Sequence, residues 1–264
     1  MTPHQFTIVC ATFNCGTKLQ RTINSILSQD YLNYELVIID GGSTDNTINI
    51  ISKTKDNPRI SYVSEPDLGV YDAMNKGIQR AQGRYLFFIG GGDELAPGSL
   101  THINQILDQT GNQPTMIYGD VIFGANGPRY DGPFSKLKLC QHNICHQAIF
   151  YSADIFRLVG NYNLKYRILA DWEFNMRCFG HSQIKKQYTP YVIAIYEAGG
   201  MSIVGDTIFT KDLKSVVRKQ LGLTAYITWQ TKLEAYRLIS KLPLSLIKIL
   251  GKIKDQLKQL LKTN

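Results

Sequence analysis

The chain has 264 residues, 44% of them hydrophobic and 19% charged. That composition excludes intrinsic disorder and is enough for one sizeable core with an appendage. The net charge of +8 is uneven: residues 211–264 hold 12 Lys and Arg against 3 Asp and Glu, a net of +9, which leaves the first 210 residues near neutrality and excludes a nucleic-acid-binding core.

The opening MTPHQFTIVCATFN has no basic segment followed by a long apolar run, so no secretory leader is expected. Phe6–Ala11 reads as a short buried strand, and Lys18–Gln29 as a helix with Leu19, Ile23, Ile26 and Leu27 at helical spacing. Glu35–Asp40, Ile60–Ser64 and Arg84–Ile89 continue the strands. Asp45–Lys53, Val70–Gln82 and Pro97–Asp108 are the intervening helices. Strand–helix alternation of this kind predicts right-handed crossovers and a mainly parallel, Rossmann-like α/β sheet with helices on both faces, with ligands beyond the carboxyl ends of the strands.

After Tyr118-Gly119-Asp120 the pattern loosens. A hairpin is expected over Val121–Asp131, a strand near Ala148–Tyr151, a helix over Ala170–Phe179, and strands at Ile184–Gln187 and Tyr191–Tyr196. From Asp206 the chain turns helical and basic. Leu246, Leu250, Ile253, Leu257 and Leu260 form one stripe in Leu244–Lys262, with lysines largely off it, which makes a cationic amphipathic helix. The domain boundaries read from this are 1–205, with halves 1–120 and 121–205, and an extension over 206–264. No run of about 18 apolar residues is present, so no membrane-spanning helix is expected. The five cysteines (Cys10, Cys15, Cys140, Cys145, Cys178) have neither an even count nor the spacing of a zinc site, and are expected as reduced thiols in a cytoplasmic protein.

Four constellations carry chemistry. Asp40-Gly41-Gly42-Ser43 follows a strand, where glycines let a planar base approach and a carboxylate can accept from a ring N–H; turn formation by Asp40 and Ser43 is the alternative. Asp72, Asn75 and Lys76 share one polar face of the helix that opens after Ser64-Glu65-Pro66-Asp67-Leu68-Gly69, either as a ligand wall or as a solvated face. Gly90-Gly91-Gly92-Asp93 ends an apolar strand, where three glycines permit close approach of a diphosphate and a hard carboxylate can hold Mg²⁺ or Mn²⁺. In Ala170-Asp171-Trp172-Glu173, either carboxylate could take a hydroxyl proton, with helix capping by Asp171 and a solvated Glu173 as the alternative.

Thr7–Asn14, Ser25–Gln29 and Val37–Thr47 together resemble the opening blocks of the family 2 glycosyltransferases, which have the GT-A fold. The combination of Asp40-Gly41-Gly42-Ser43, Ser64-Glu65-Pro66-Asp67, Tyr71–Gly77 and His146-Gln147-Ala148-Ile149-Phe150 is similar to the WcaE-like colanic acid and exopolysaccharide branch. The resemblance implies a base pocket lined by Ala11 and Phe13 with Asp40 bonded to the base. It places Asp72, Asn75 and Lys76 near ribose or diphosphate, Gly92 at the donor, and Asp93 as the ligand of Mn²⁺ or Mg²⁺. Asp171 corresponds to the catalytic base, with His146 and Trp172 toward the acceptor. Many members carry Asp-Asp where this chain has Gly92-Asp93, so one carboxylate of the usual pair is missing.

The resemblance further implies inverting transfer from a nucleoside-diphosphate sugar, a UDP-sugar foremost, to a glycan or lipid-linked acceptor. The cationic tail favours an anionic membrane surface on the cytoplasmic side, or else packs on the domain or on a second copy in a homo-oligomer. Two rival readings are an inactive sugar-nucleotide-binding scaffold, motivated by Gly92, and a sugar nucleotidyltransferase. The latter fits poorly because Ala11–Gly16 lacks a basic, glycine-rich triphosphate loop.

Overall fold

The computed structural model describes residues 4–111, 113–124, 127–197 and 205–241. Four parallel strands come first in space: β3 (Ile60–Ser64), β2 (Tyr34–Asp40), β1 (Phe6–Thr12) and β4 (Tyr85–Gly90). Every residue of β1 and β2 is buried, which is why these segments read as unbroken apolar runs: both faces of the sheet are covered. Helix α1 (Lys18–Leu27), α2 (Thr47–Ser52), α3 (Val70–Arg80) and α4 (Ser99–Leu107) connect or follow these strands. The register sets Thr12 beside Asp40, Asp40 beside Ser64 and Ala11 beside Gly90. The strand ends that carry the polar motifs are therefore level with one another.

Beyond β4 the sheet changes character. β8 (Ile149–Ser152) lies antiparallel between β4 and β6 (Thr115–Phe123), β9 (Lys185–Tyr196) runs parallel to β6, and the short β5 (Glu94–Leu95) closes the edge antiparallel to β9. The mainly parallel expectation thus holds for the first half, and the nine-stranded sheet formed by the described residues is mixed. The expected hairpin exists as β6 with β7 (Arg129–Tyr130), but its first strand begins at Thr115.

The two short strands expected after residue 184 are one strand. β9 passes through Pro190, whose missing N–H is absorbed where the β6–β9 register shifts between Tyr118/Tyr188 and Asp120/Val192. Gly119 lies at that irregularity, and a Cβ there would stand 2.5 Å from the Tyr191 carbonyl oxygen.

Short helices α5 (Lys136–Leu139) and α6 (Ala153–Val159) were not legible in the sequence; a 3₁₀ turn, His146–Ala148, precedes β8. Helix α7 (Ala170–Gly180) rests on an aromatic platform, with Phe174 4.8 Å from Tyr162 and 5.1 Å from Phe156, centroid to centroid. This fixes the first turn of α7, and with it Asp171.

The C-terminal region is helical as expected: α8 (Thr207–Leu221) and α9 (Leu223–Ile239). Asp206 caps α8 by accepting from Ile208 N (3.1 Å) and Phe209 N (3.0 Å), and its other oxygen accepts from Ile168 N (3.0 Å). Burial opposes its ionisation, but these N–H donors outweigh burial and hold the carboxyl below the usual range. Phe209 is fully buried against Tyr166 and Trp172. Helix α8 therefore shares the core with α7. In α9 Trp229 is buried, whereas Tyr236 and Leu238 are 61% and 65% exposed. The stripe over Leu244–Lys262 lies outside the described residues.

Candidate active site

Three loops at the carboxyl ends of β1, β2 and β3 form one end of the site. Phe13 stands 62% exposed at the tip of the β1 loop, while Ala11 is buried at the strand end. Asn14, at φ 46°, joins two of the loops: its N–H donates to Ser43 Oγ (2.8 Å) and its side-chain oxygen accepts from Thr44 N (2.9 Å).

Asp40 is fully buried. Its carboxylate accepts from Gly42 N (3.1 Å), Ser43 N (2.9 Å), Ser43 Oγ (2.5 Å) and Ser64 Oγ (2.7 Å). These four bonds hold the loop together. The carboxylate near the surface here is that of Asp67, whose Oδ2 would stand 2.6 Å from a Cβ on Gly41. A residue larger than glycine at 41 would push it away.

Between β4 and β5 the chain makes the turn Gly91-Gly92-Asp93. Asp93 is buried; its Oδ2 accepts from Gln147 Nε2 (2.7 Å) and Gly90 N (3.3 Å), and its Oδ1 from Glu197 N (2.9 Å). Burial raises its carboxyl above the ordinary value, against these donors and the nearby His146. Gly92 sits at φ 122°, and a Cβ on it would stand 2.5 Å from Glu197 Oε2. The carboxylate missing from position 92 is thus met in space by Glu197, which follows β9. Lys18 and Arg21 of α1 hold Glu197 at 3.2 Å each.

Across from Asp93 lies Asp171, 5% exposed. Its Oδ1 is 2.8 Å from the Tyr71 hydroxyl, which the Ile168 carbonyl shares, and 2.8 Å from Trp172 N. Its Oδ2 accepts from Asn143 Nδ2 at 2.9 Å and lies 3.6 Å from His146 Nδ1. Asn143 is itself oriented by Asn175, whose Nδ2 donates to Asn143 Oδ1 (2.9 Å), and Tyr151 OH donates to Asn175 Oδ1 (2.7 Å). A buried chain of donors thus ends on the Asp171 charge. Burial and the Asp171 charge push the Tyr71 phenol well up, so it remains a proton donor. Burial likewise pushes the thiols of Cys10 and Cys145 up.

Several expected contacts fall elsewhere. Both ends of the Asn75 amide are tied to the Tyr162 backbone at 3.0 Å, which clamps α3 to the loop after α6. Lys76 pairs with Glu65 (2.9 Å) and donates to the Pro66 carbonyl (3.0 Å), and Asp72 accepts from Leu68 N (3.1 Å). These two fasten the loop after β3. Trp172 gives its ring N–H to the Leu139 carbonyl (2.7 Å) and packs on Phe209, so its ring is a wedge between α7 and α8. Glu173 is buried and paired with Arg177 at 2.9 Å, not solvated.

Sequence reasoning did not single out Asn143, Gln147, Tyr71 or Glu197. The last had a signal: it immediately follows a predicted strand, where sheet ligands gather.

Residues 7–157 match the sequence profile of glycosyl transferase family 2. The "PGL/p-HBAD biosynthesis glycosyltransferase" of Mycobacterium bovis is 39% identical over 230 residues, covering 84% of this chain and 89% of that protein. In fold, the chain is similar to Staphylococcus aureus TarS, solved with UDP-GlcNAc (TM-score 0.63, 17% identity, 81% of this chain and 64% of that one). It is similar also to the mannosyltransferase PcManGT of Pyrobaculum calidifontis, solved with GDP-Man and Mn²⁺ (TM-score 0.60, 14% identity, 96% and 81%).

Proposed function

This chain belongs to glycosyl transferase family 2, and from that premise we propose that it transfers a sugar, with inversion, from a UDP-sugar to a hydroxyl of a glycan or lipid-linked acceptor. The observation that carries the reading is one turn: His146 and Gln147, adjacent in sequence, reach Asp171 and Asp93 respectively, so a single 3₁₀ turn sets the spacing of the two carboxylates. Asp93 belongs to the donor side, close to the loop that carries Ala11 and Phe13. Asp171 belongs to the acceptor side, where the hydroxyl must lose its proton as it attacks the anomeric carbon from the face opposite the diphosphate.

Among the described residues no three His, Cys, Asp or Glu side chains converge as a metal cage. The donor set nevertheless suits a hard cation: Asp93 and Glu197 bring carboxylate oxygens to the turn at Gly92, and a diphosphate supplies further oxygens. Asp93, with Glu197 beside it, would hold Mn²⁺ or Mg²⁺, which supplies Lewis-acid neutralisation of the departing diphosphate. The protein's own part is positional. Asp40 and Asn14 shape the base pocket, Asp72, Asn75 and Lys76 fix its wall, and Gly92 leaves room for the phosphates.

Melting curves with UDP-, GDP- and dTDP-sugars and Mn²⁺ test this assignment. A UDP-sugar at about 100 times its Kd should add about 2.7 kcal/mol to stability, in a chelator-sensitive manner. Absence of stabilisation by every sugar nucleotide would remove the donor reading.

The resemblance of the motif run to the colanic acid and exopolysaccharide branch supports an acceptor in surface-polysaccharide synthesis, of the exopolysaccharide, O-antigen or capsule type. The +9 tail and the exposed Tyr236 and Leu238 of α9 support peripheral attachment to an anionic inner membrane surface. Among the described residues no helix is long and apolar enough to cross a membrane. The full chain should pellet with anionic vesicles and a chain truncated after Leu242 should not; equal pelleting of the two would exclude this role for the tail.

A further inference from the structure

Resting on the reading of this site as one for glycosyl transfer with Asp171 as the base, we propose that Asn143 is the positioning residue that aims the reacting oxygen of that carboxylate, Oδ2, and sets the pH at which transfer begins. The two oxygens of Asp171 are not equivalent. Oδ1 lies 2.8 Å from both the Tyr71 hydroxyl and Trp172 N and is engaged in the wall of the site. Oδ2 accepts one hydrogen bond from the described residues, that of Asn143 Nδ2 at 2.9 Å. A carboxylate oxygen offers about two acceptor positions. The one left on Oδ2 is where an acceptor hydroxyl can give up its proton.

The orientation of Asn143 is dictated from both sides. A carboxylate only accepts, so the amide turns its NH₂ to Asp171 and its oxygen away. That oxygen accepts from Nδ2 of Asn175 (2.9 Å), a fully buried residue one turn after Asp171 on α7. The Tyr151 hydroxyl of β8 donates to Asn175 Oδ1 (2.7 Å). Reversing either amide would set oxygen against oxygen. The Tyr130 hydroxyl anchors the backbone of the same residue by donating to the Asn143 carbonyl (3.0 Å). Three side chains from separate parts of the chain thus point their donors toward one negative charge, an arrangement that favours the ionised carboxylate.

The titratable groups around that charge are Tyr71 of α3, Tyr151 of β8, Tyr162 of the loop after α6, Cys145 and His146. Burial keeps the phenols and the thiol protonated. His146, whose Nδ1 is 3.6 Å from Oδ2 and which has Asp93 nearby, is the one of these that changes charge near neutral pH. Glu173 on α7 is paired with Arg177, and Asp206 at the start of α8 is spent on backbone N–H groups. As the acceptor oxygen bonds to the anomeric carbon, its O–H bond breaks and the proton moves to Oδ2. The bond from that carbon to the diphosphate oxygen breaks, its electron pair leaves with the nucleoside diphosphate, and the neutral carboxyl later returns the proton to water.

The test is the pH profile of kcat for the full chain, read as release of UDP from the UDP-sugar selected by melting, to water and to octyl glycosides. Asn143 donates to the ionised carboxylate, so its loss raises the carboxyl's pKa and the working base disappears at a higher pH. Asn143→Ala should therefore move the acid limb up by about one pH unit and lower the plateau about tenfold through misplacement of Oδ2. The donor KM and donor-induced melting shift should stay as in wild type. Tyr151→Phe, which keeps the ring and removes the far donor, should move the limb the same way by less. In a His146→Gln background the shift caused by N143A should persist, because the group that titrates is Asp171. An acid limb unmoved in N143A, or a shift that vanishes in that background, would overturn the proposal. If N143A does not fold, an unmoved limb in Y151F would do the same. Full transfer by Asp171→Asn would instead remove the base reading, and a wild-type chain that neither binds nor cleaves any sugar nucleotide would remove the transferase reading itself.

Discussion

Asp171→Asn should lower sugar transfer by roughly 10³-fold, within the range that positioned acid–base groups contribute, while the donor still raises the melting temperature. The substitution keeps the shape of the side chain and removes its charge. Tyr71 and Trp172 N can still donate to the remaining oxygen, but the new NH₂ would face Asn143 Nδ2, which donates to Asp171 at present. An amide there leaves a buried donor unpaired at a cost of about 1–3 kcal/mol, so a lower melting temperature should accompany the loss of turnover. Steady-state transfer and donor-induced melting shifts, measured on the same preparation, separate the two effects. Transfer within tenfold of wild type would mean that Asp171 has no part in moving the proton.

The second large effect is expected at Gly92, where the family resemblance implies a second carboxylate. Gly92→Asp would introduce that carboxylate, yet here it should damage the protein. The residue has φ 122°, a region that side chains avoid, and its Cβ would stand 2.5 Å from Glu197 Oε2. Backbone strain alone costs about 1–3 kcal/mol, and a third carboxylate beside Asp93 and Glu197 adds repulsion. Chemical denaturation should show the loss, and Mn²⁺-dependent donor binding should weaken at least tenfold. Adding Glu197→Ala to that variant should recover part of both, because it removes the clash and returns the local carboxylate count to two. If G92D were as stable as wild type and bound donor equally well, Glu197 would not be the counterpart of the missing carboxylate.

These two sites show where sequence reasoning stopped. Asp171 and Asp93 were identified from their places in motifs, and the structure sets them across one turn from each other. Asp40, Asn75 and Trp172 were identified in the same way, but their polar groups are used inside the protein. A motif fixes which residue stands where along the chain. It does not state whether a neighbour from another element has already taken its hydrogen bonds. Asn75 is tied to Tyr162, 87 positions away, and Trp172 to Leu139, 33 positions away.

The sequence by itself determined the parallel half of the sheet, because strands buried on both faces must be continuous apolar runs and their crossover helices must carry a stripe. It also determined the glycine-rich turn before Asp93 and the helical, basic C-terminal region. Only the tertiary structure decided what lies beside those motifs. The mixed second half depends on β8 inserting antiparallel between β4 and β6, a long-range pairing with no local signature. Glu197 reaches Asp93 from 104 residues away, and His146 and Asn143 reach Asp171 from an unpatterned loop. Periodicity reports how a residue is buried by its own element, whereas the protonation and availability of a carboxylate depend on whichever distant groups the fold sets against it.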